Sequence, residues 1–537
     1  MNRVDLSNAN ARVLGKILRQ QAESIPDATY LMAGERRYSF GRVNEIANAY
    51  AAGLRGLGVQ PGDTVALLMA GSPELIFTTL GVNKLGAVWV PTNTDYRKEW
   101  LRGALRDSRA QVLVVDAALL PRLAEIGPPL PCGRIVFNGK ADVEIEGVPM
   151  VALGEFAQIR AGEPDVDVSH SDTAAVLWTS GTTGRPKGVM QSHSAWIRGS
   201  ESSIRSFRIR EGDLLYNCLP MYNSAAWIST VYPALVAGLP FGLDDHFSVS
   251  TFWDRVRFYG ATHMFTLGAM HIFLWQAPPR PDDRDNRVRV ASLIPMPDRL
   301  MGPFKDRFGI EVIVQGYGQS EAFTVLLRID DGTRTWKPNS AGVPPPGMEV
   351  RLLDDDDVEV PVGEVGEFCV RPADPYVIFN GYFNDPEATA AAFRNLWYHT
   401  GDLGRRDEDG EFSFFDRKAD YIRYKGRNVS SFAVEAAVNA HPAVAHSAAY
   451  GIKSAELDME AEIKVDVVLN PGAQLRPEEL ATFVNETAPY FFVPRYVEFV
   501  DQLPQTPTGR VRKFALRERG VTDRTWDRES AGFVVKR

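Results

Sequence analysis

Residues 177–189 read Leu-Trp-Thr-Ser-Gly-Thr-Thr-Gly-Arg-Pro-Lys-Gly-Val. Gly181 and Gly184 let backbone N–H groups turn toward one concave point, which makes an anion site. Thr179, Ser180, Thr182 and Thr183 add hydroxyl donors, and Lys187 adds a mobile positive charge. The chemistry that suits this set is holding phosphate. An apolar run from Ala174 to Trp178 enters the loop, and His193 to about Phe207 reads as a helix. Strand, phosphate loop and helix are therefore expected in that order. This is not the common P-loop, in which Ser or Thr follows the lysine; here Gly188 follows Lys187.

Three further groups carry chemistry. Gln315-Gly316-Tyr317-Gly318-Gln319-Ser320-Glu321 ends a predicted strand. Its glycines would permit close ligand approach, Tyr317 offers a ring for a base, and Glu321 offers a hard oxygen for Mg²⁺. Trp397-Tyr398-His399-Thr400-Gly401-Asp402 places a carboxylate after a tight turn, suited to accepting two ribose hydroxyls. Asp416-Arg417-Lys418-Ala419-Asp420 is followed by Lys425-Gly426-Arg427-Asn428-Val429, a charged, hinge-like stretch. Taken singly, each has a plain structural alternative, such as a glycine turn or an Asp capping a turn.

In this order and spacing the motifs resemble the acyl-adenylate-forming superfamily of acyl-CoA synthetases, luciferases and peptide-synthetase adenylation domains. Gly363-Glu364-Val365-Gly366-Glu367 and Thr506-Pro507-Thr508-Gly509 add to the match, which runs from about Ser39 to Leu516. The branch it is most similar to holds carnitine/crotonobetaine-CoA ligase-like and fatty-acyl-CoA ligases. The resemblance implies that a carboxylate attacks the α-phosphorus of ATP, and that coenzyme A then takes the acyl group from acyl-AMP. It also implies that Thr179, Ser180, Gly181, Thr182, Thr183, Gly184 and Lys187 hold the β- and γ-phosphates. Tyr317 would lie against adenine, Gly316 and Gly318 would belong to the same ATP site, and Ser320 would contact the α-phosphate. Glu321 with Thr182 would hold Mg²⁺, and Asp402 with Arg417 the ribose. Lys425 and Gly426 would border the pantetheine path, and Ala419 would be the hinge. By the same resemblance, Asn223, Trp227, Phe265, Leu267 and Met270 line the acyl pocket.

Two departures matter most. The superfamily's tail places lysine after the glycine, between substrate carboxylate and α-phosphate. Here Gly509 is followed by Arg510, with Arg512 and Lys513 beyond. Arg510 keeps the charge as a planar fork; Lys513 reaching in by a register shift is a second reading, and lost adenylation a third. Asn223 stands where many relatives place His, and it cannot titrate. Residues 222–230 contain no acidic side chain to hold an ammonium, so an apolar acid of fatty, aromatic or steroid-like type is expected. The alternatives are loading of a carrier-protein pantetheine, or a weak nucleotide- or acyl-binding protein.

These residues need a scaffold, and the patterning supplies one. Strands at 65–69, 87–91 and 112–116 alternate with helices at 73–85 and 98–107, a βαβ rhythm that implies parallel sheet. The rhythm recurs from 252 to 315, and short strands after about residue 337 suggest a β-rich subdomain. The expected fold is α/β. A large N-terminal domain, 1–416, combines two βαβ-type sheet subdomains with that small β-rich one. A small mobile α+β domain, 417–537, follows.

The chain of 537 residues is long enough for this, and its net charge of −9 argues against a nucleic-acid surface. Cys132, Cys218 and Cys369 show no metal spacing, none of the eight histidines forms a ligand pair, and no run reaches membrane length. A cytoplasmic protein, with a homodimer as one candidate assembly, is the expectation.

Overall fold

The computed structural model describes residues 4–180, 186–417, 421–425, 427–453, 460–504, 511 and 513–536. Two large sheets dominate. In the first, Met150–Ala152, Arg134–Asn138, Val112–Asp116, Thr64–Leu68, Val88–Pro91 and Thr173–Ser180 run parallel in that order, and Pro186–Ser192 closes the edge antiparallel. Thr64–Leu68 and Val88–Pro91 are buried at every residue. Helices cover both faces, so these strands carry apolar runs instead of an alternation. Ser72 starts the helix Pro73–Lys84: its hydroxyl accepts from Leu75 N at 3.2 Å, with proline at the first helical position.

The second sheet orders Leu326–Asp330, Val312–Tyr317, Val290–Ile294, His263–Leu267, Leu215–Asn217, Phe241–Leu243, Thr29–Ala33 and Arg36–Ser39. Its central strands are parallel and its two outermost pairs antiparallel. A third, antiparallel sheet is built from Ser340–Gly342, Phe412–Arg417, Trp397–Arg406, Val365–Pro372 and Met348–Leu353. The expected α/β architecture is therefore present, β-rich subdomain included.

The small C-terminal domain has its own core around Val434, Val465 and Val484. Its main sheet runs Val444–Lys453, Ala461–Leu469, Tyr496–Phe499 and Trp526–Asp527, with Tyr421–Tyr424 and Arg427–Ser430 as a separate pair. It docks on the large domain through Arg427, whose guanidinium donates to the Tyr222 hydroxyl at 2.8 Å and stands 3.5 Å from Asp95 Oδ2. Beside it, Phe492 meets the Trp100 ring edge-on at 5.0 Å.

One expectation is corrected here. The helix begins at His193 as expected, but the strand Pro186–Ser192 precedes it. Thr173–Ser180 and Pro186–Ser192 pair antiparallel, with Ser180 opposite Pro186, and only then does His193–Ser206 begin. The Ser192 hydroxyl caps that helix at Ala195 N, 3.0 Å away. A strand therefore separates the expected phosphate segment from the helix N-terminus, which Ser192 caps.

Candidate active site

The end of Val312–Tyr317 brings the second and third motifs together. The Tyr317 hydroxyl donates to Asp402 Oδ2 at 2.6 Å, and Gln319 Nε2 donates to the same oxygen at 2.6 Å. Gln319 also reaches the Thr400 carbonyl at 2.9 Å, and the Tyr398 hydroxyl holds its Oε1 at 2.7 Å. The Tyr317 ring lies against Phe368, centroids 5.0 Å apart and planes 27° from parallel. Asp402 is buried and pairs in strand register with Arg417.

The motif glycines are explained by the protein's own backbone. A Cβ on Gly316 would overlap the Leu326 carbonyl, and one on Gly318 the Phe323 carbonyl. Close ligand approach is therefore not needed to account for them; the antiparallel turn back into Leu326–Asp330 already demands it.

Glu321 is buried, and burial pushes its carboxyl up from the ordinary range. The Tyr382 hydroxyl donates to its Oε1 at 3.1 Å, and the charge of Lys187 acts in the opposite sense to burial. Lys187 Nζ sits 4.7 Å over the ring of that same Tyr382. Tyr382 therefore ties the phosphate-loop lysine to the candidate metal ligand. It is held there because residues 380–383 run beside Pro186–Ser192: Met190 N donates to the Gly381 carbonyl at 3.0 Å, and Phe383 N to Gly188 at 2.7 Å. Sequence reasoning missed Tyr382, Gln319 and Tyr398. Gln319 and Tyr398 lie inside motifs already singled out and so offered a signal; Tyr382 lies in none of them.

Other site candidates divide clearly. Thr179 is half-buried and donates to the Lys187 carbonyl at 3.4 Å. Ser320 lies with its hydroxyl 3.5 Å from that of Ser224, which brings residues 223–225 to the same cleft, where Asn223 is exposed. Leu267 and Met270 are half-buried against the main core. Lys425 keeps its ammonium 3.9 Å from Glu529. Gly181, Thr182, Thr183, Gly184, Ala419, Gly426 and Arg510 lie outside the described residues, as do the side chains of Ser180 and Arg417.

Three readings need correction. Trp227 is wholly buried: its indole N–H donates to the Met221 carbonyl at 2.8 Å and its ring packs on Trp89 and Tyr232, so it does not line an open pocket. Phe265 is buried in the same core. Lys513 is buried inside the small domain, 2.7 Å from the Ser431 hydroxyl and 2.8 Å from Glu435. Nothing in this arrangement brings it to Glu321.

Cys369 and His399, which the sequence kept apart, meet. His399 Nδ1 lies 3.3 Å from Cys369 Sγ and 3.2 Å from Glu367 Oε2, a grouping with the reach of a metal site. The Arg394 guanidinium stands 3.1 Å from the same nitrogen, so a cation already occupies the corner a metal would need. Glu367 also accepts from Gly401 N at 2.8 Å and so fixes the turn before Asp402. His193 and His263 are buried packing residues, with Leu14 N donating to His193 at 3.4 Å and the Phe207 carbonyl 2.9 Å from His263.

With Lys187, Glu321 and Asp402 joined around two tyrosines, comparison with known proteins becomes specific. The AMP-binding enzyme family matches residues 18–383, and the AMP-binding enzyme C-terminal domain matches residues 433–510. This chain belongs to the AMP-binding enzyme family. It is 33% identical over 491 residues to the crotonobetaine/carnitine–CoA ligase of Salmonella heidelberg (strain SL476), covering 90% of this chain and 93% of the relative. Among solved structures, it is similar to the amide bond synthetase McbA of Marinactinospora thermotolerans at 26% identity and TM-score 0.79, over 94% of this chain and 99% of that one. It also resembles the Mycobacterium tuberculosis fatty acyl CoA synthetase at 26% identity and TM-score 0.68, over 95% and 99%. The AMP-binding enzyme assignment agrees with the motif reading of an AMP-forming acyl-CoA ligase. Among the described residues, no helix is long and apolar enough to cross a membrane.

Proposed function

We propose that this AMP-binding enzyme joins an apolar carboxylic acid, of fatty, aromatic or steroid-like type, to coenzyme A through an acyl-adenylate, releasing AMP and pyrophosphate. One observation carries the reading: Lys187 and Glu321 converge on Tyr382 in the segment that also anchors Asp402 through Tyr317 and Gln319. Cation, hard oxygen and hydroxyl acceptor are what a nucleoside triphosphate needs at its phosphates, its metal and its ribose.

In this reading Thr179 to Lys187 hold the β- and γ-phosphates, the Tyr317 ring lies against adenine, and Ser320 meets the α-phosphate. Asp402 takes the ribose hydroxyls with Arg417. The residues fit Mg²⁺: among the described residues, the buried Glu321 carboxylate accepts a side-chain hydrogen bond from a neutral hydroxyl, so its charge calls for a cation. Bound there with Thr182, the ion would draw charge from the phosphates as pyrophosphate leaves. Arg510 supplies the tail cation between carboxylate and α-phosphate, since Lys513 is spent on Glu435. The small domain, taken as 417–537, then turns about Ala419, and pantetheine enters past Lys425 and Gly426.

The test is product identification. Incubation with ATP, Mg²⁺, coenzyme A and an acid panel should give acyl-CoA, AMP and pyrophosphate by mass. ATP binding with no AMP from any acid would defeat the reading. Similarity to an amide bond synthetase supports a second reading, in which an amine takes the acyl group; AMP formed only when amine replaces coenzyme A would select it. AMP with a carrier-protein pantetheine alone would select carrier loading.

A further inference from the structure

Arg427 stands between the two domains and bonds to both. Its Nη1 donates to the Tyr222 hydroxyl at 2.8 Å and lies 3.5 Å from Asp95 Oδ2, both on the large domain. Its Nη2 donates to the Tyr490 hydroxyl of the small domain at 3.0 Å, and the guanidinium carbon lies 4.6 Å from the centre of the Phe491 ring. A planar fork can serve two domains at once in this way; the point charge of a lysine could not. Arg427, Asp95 and Tyr222 are all half-buried, so water screens the contact less than it would an exposed ion pair.

The contact lies at the candidate cleft. Tyr222 directly precedes Asn223 and Ser224, and the Ser224 hydroxyl is 3.5 Å from that of Ser320. Arg427–Ser430 also packs beside Thr173–Ser180, the strand that enters the phosphate loop. The hairpin of Tyr421–Tyr424 and Arg427–Ser430 is therefore the part of the small domain held against the cleft. The residues after Arg510 are placed elsewhere. Val511 packs on the cluster of Ala448, Tyr450 and Leu516, and Lys513 lies 2.8 Å from Glu435, all within the small domain. This arrangement presents the hairpin, with Lys425, and not the tail.

We propose that Arg427 is a positioning residue for acyl transfer: docked on Tyr222 and Asp95, it latches the small domain with its hairpin over the cleft, and adenylation runs with this latch open. The proposal rests on the acyl-CoA ligase reading above. In the latched step the coenzyme A thiol sulfur bonds the acyl carbon. The bond from that carbon to the AMP oxygen breaks, its electron pair leaves on AMP, and the thiol proton passes to water. Arg427 touches none of these atoms; it sets the neighbouring Lys425 and Gly426 beside the pantetheine path.

The experiment separates the two half-reactions on the full chain. Acid-dependent exchange of labelled pyrophosphate into ATP reads adenylation, and quenched single turnovers from preformed acyl-AMP to coenzyme A read transfer. Arg427→Ala should slow transfer at least about tenfold and leave exchange at the parental rate or above it. Arg427→Lys should recover part of the transfer rate, because the charge returns without the fork. Asp95→Asn, which keeps the shape of its half-buried side chain, should slow transfer by a smaller factor and likewise spare exchange. Adding Asp95→Asn to Arg427→Ala should cost nothing further, since both changes break one contact. Equal loss in both half-reactions, or transfer at the parental rate in Arg427→Ala, overturns the inference and leaves the ligase reading intact. No acyl-AMP from any acid, or no transfer to coenzyme A by the parent chain, overturns both.

Discussion

The Tyr317 hydroxyl donates to the Asp402 carboxylate at 2.6 Å, across strands of two different sheets. In the proposed function this bond would fix the ribose acceptor beside the ring that meets the base, so the two residues should act together on ATP. Asp402→Asn should raise the KM for ATP about tenfold or more, and Tyr317→Phe should do so by a smaller factor with the ring kept. Pyrophosphate release against ATP concentration checks this. Unchanged KM in both variants would remove the pair from nucleotide binding.

Tyr382 predicts a graded series. Glu321→Gln should lower adenylation by roughly a hundredfold and raise the Mg²⁺ concentration needed for half-maximal rate. Tyr382→Phe keeps the carboxylate and loses one hydrogen bond, so its effect should be several-fold and confined to the Mg²⁺ requirement. A Tyr382→Phe enzyme as impaired as Glu321→Gln would show that the tyrosine does more than hold the glutamate.

The two tail cations should behave oppositely. Lys513→Ala removes an ion-pair partner of the partly buried Glu435 and should cost stability, read as a lower Tm by calorimetry. Arg510→Ala should leave Tm in place and abolish acyl-AMP formation. Loss of adenylation in a fully stable Lys513→Ala enzyme would return the catalytic role to Lys513.

Stability should fall with acid through buried histidines. Burial pushes His193 down to about 3, and His263 and His271 to about 4. The unfolded chain then binds protons that the folded one refuses, so the folded state is favoured fully above pH 6.5 and loses about 1.4 kcal/mol per histidine for each pH unit below it. Tm measured from pH 7 to 5 should decline, and His193→Gln should flatten the slope. A flat Tm profile for the parent chain would contradict the burial of these rings.

Most of the scaffold was legible because buried parallel strands and their helices leave long apolar runs, as at Val112–Asp116 and Pro73–Lys84. The sequence also held Tyr317, Glu321 and Asp402 as candidates. Their connections were not legible: Tyr382 lies 61 residues from Glu321, and only the extra edge beside Pro186–Ser192 brings them together. The strand Pro186–Ser192 between loop and helix went unread for a different reason. Residues 186–192 mix glycine, lysine and glutamine with apolar residues, so a short edge strand there has no clean alternation. Trp227 misled because an aromatic ring looks the same in a core and in a pocket.

In the proposed reaction an acid oxygen attacks the α-phosphorus of ATP at the site formed by Lys187, Glu321 and Asp402. An acid labelled with ¹⁸O in its carboxylate tests this in one turnover series with ATP, Mg²⁺ and coenzyme A. Attack at the α-phosphorus leaves one ¹⁸O in AMP when the thioester forms, and mass analysis should find it there. AMP without label, or label in inorganic phosphate beside ADP, would contradict that attack.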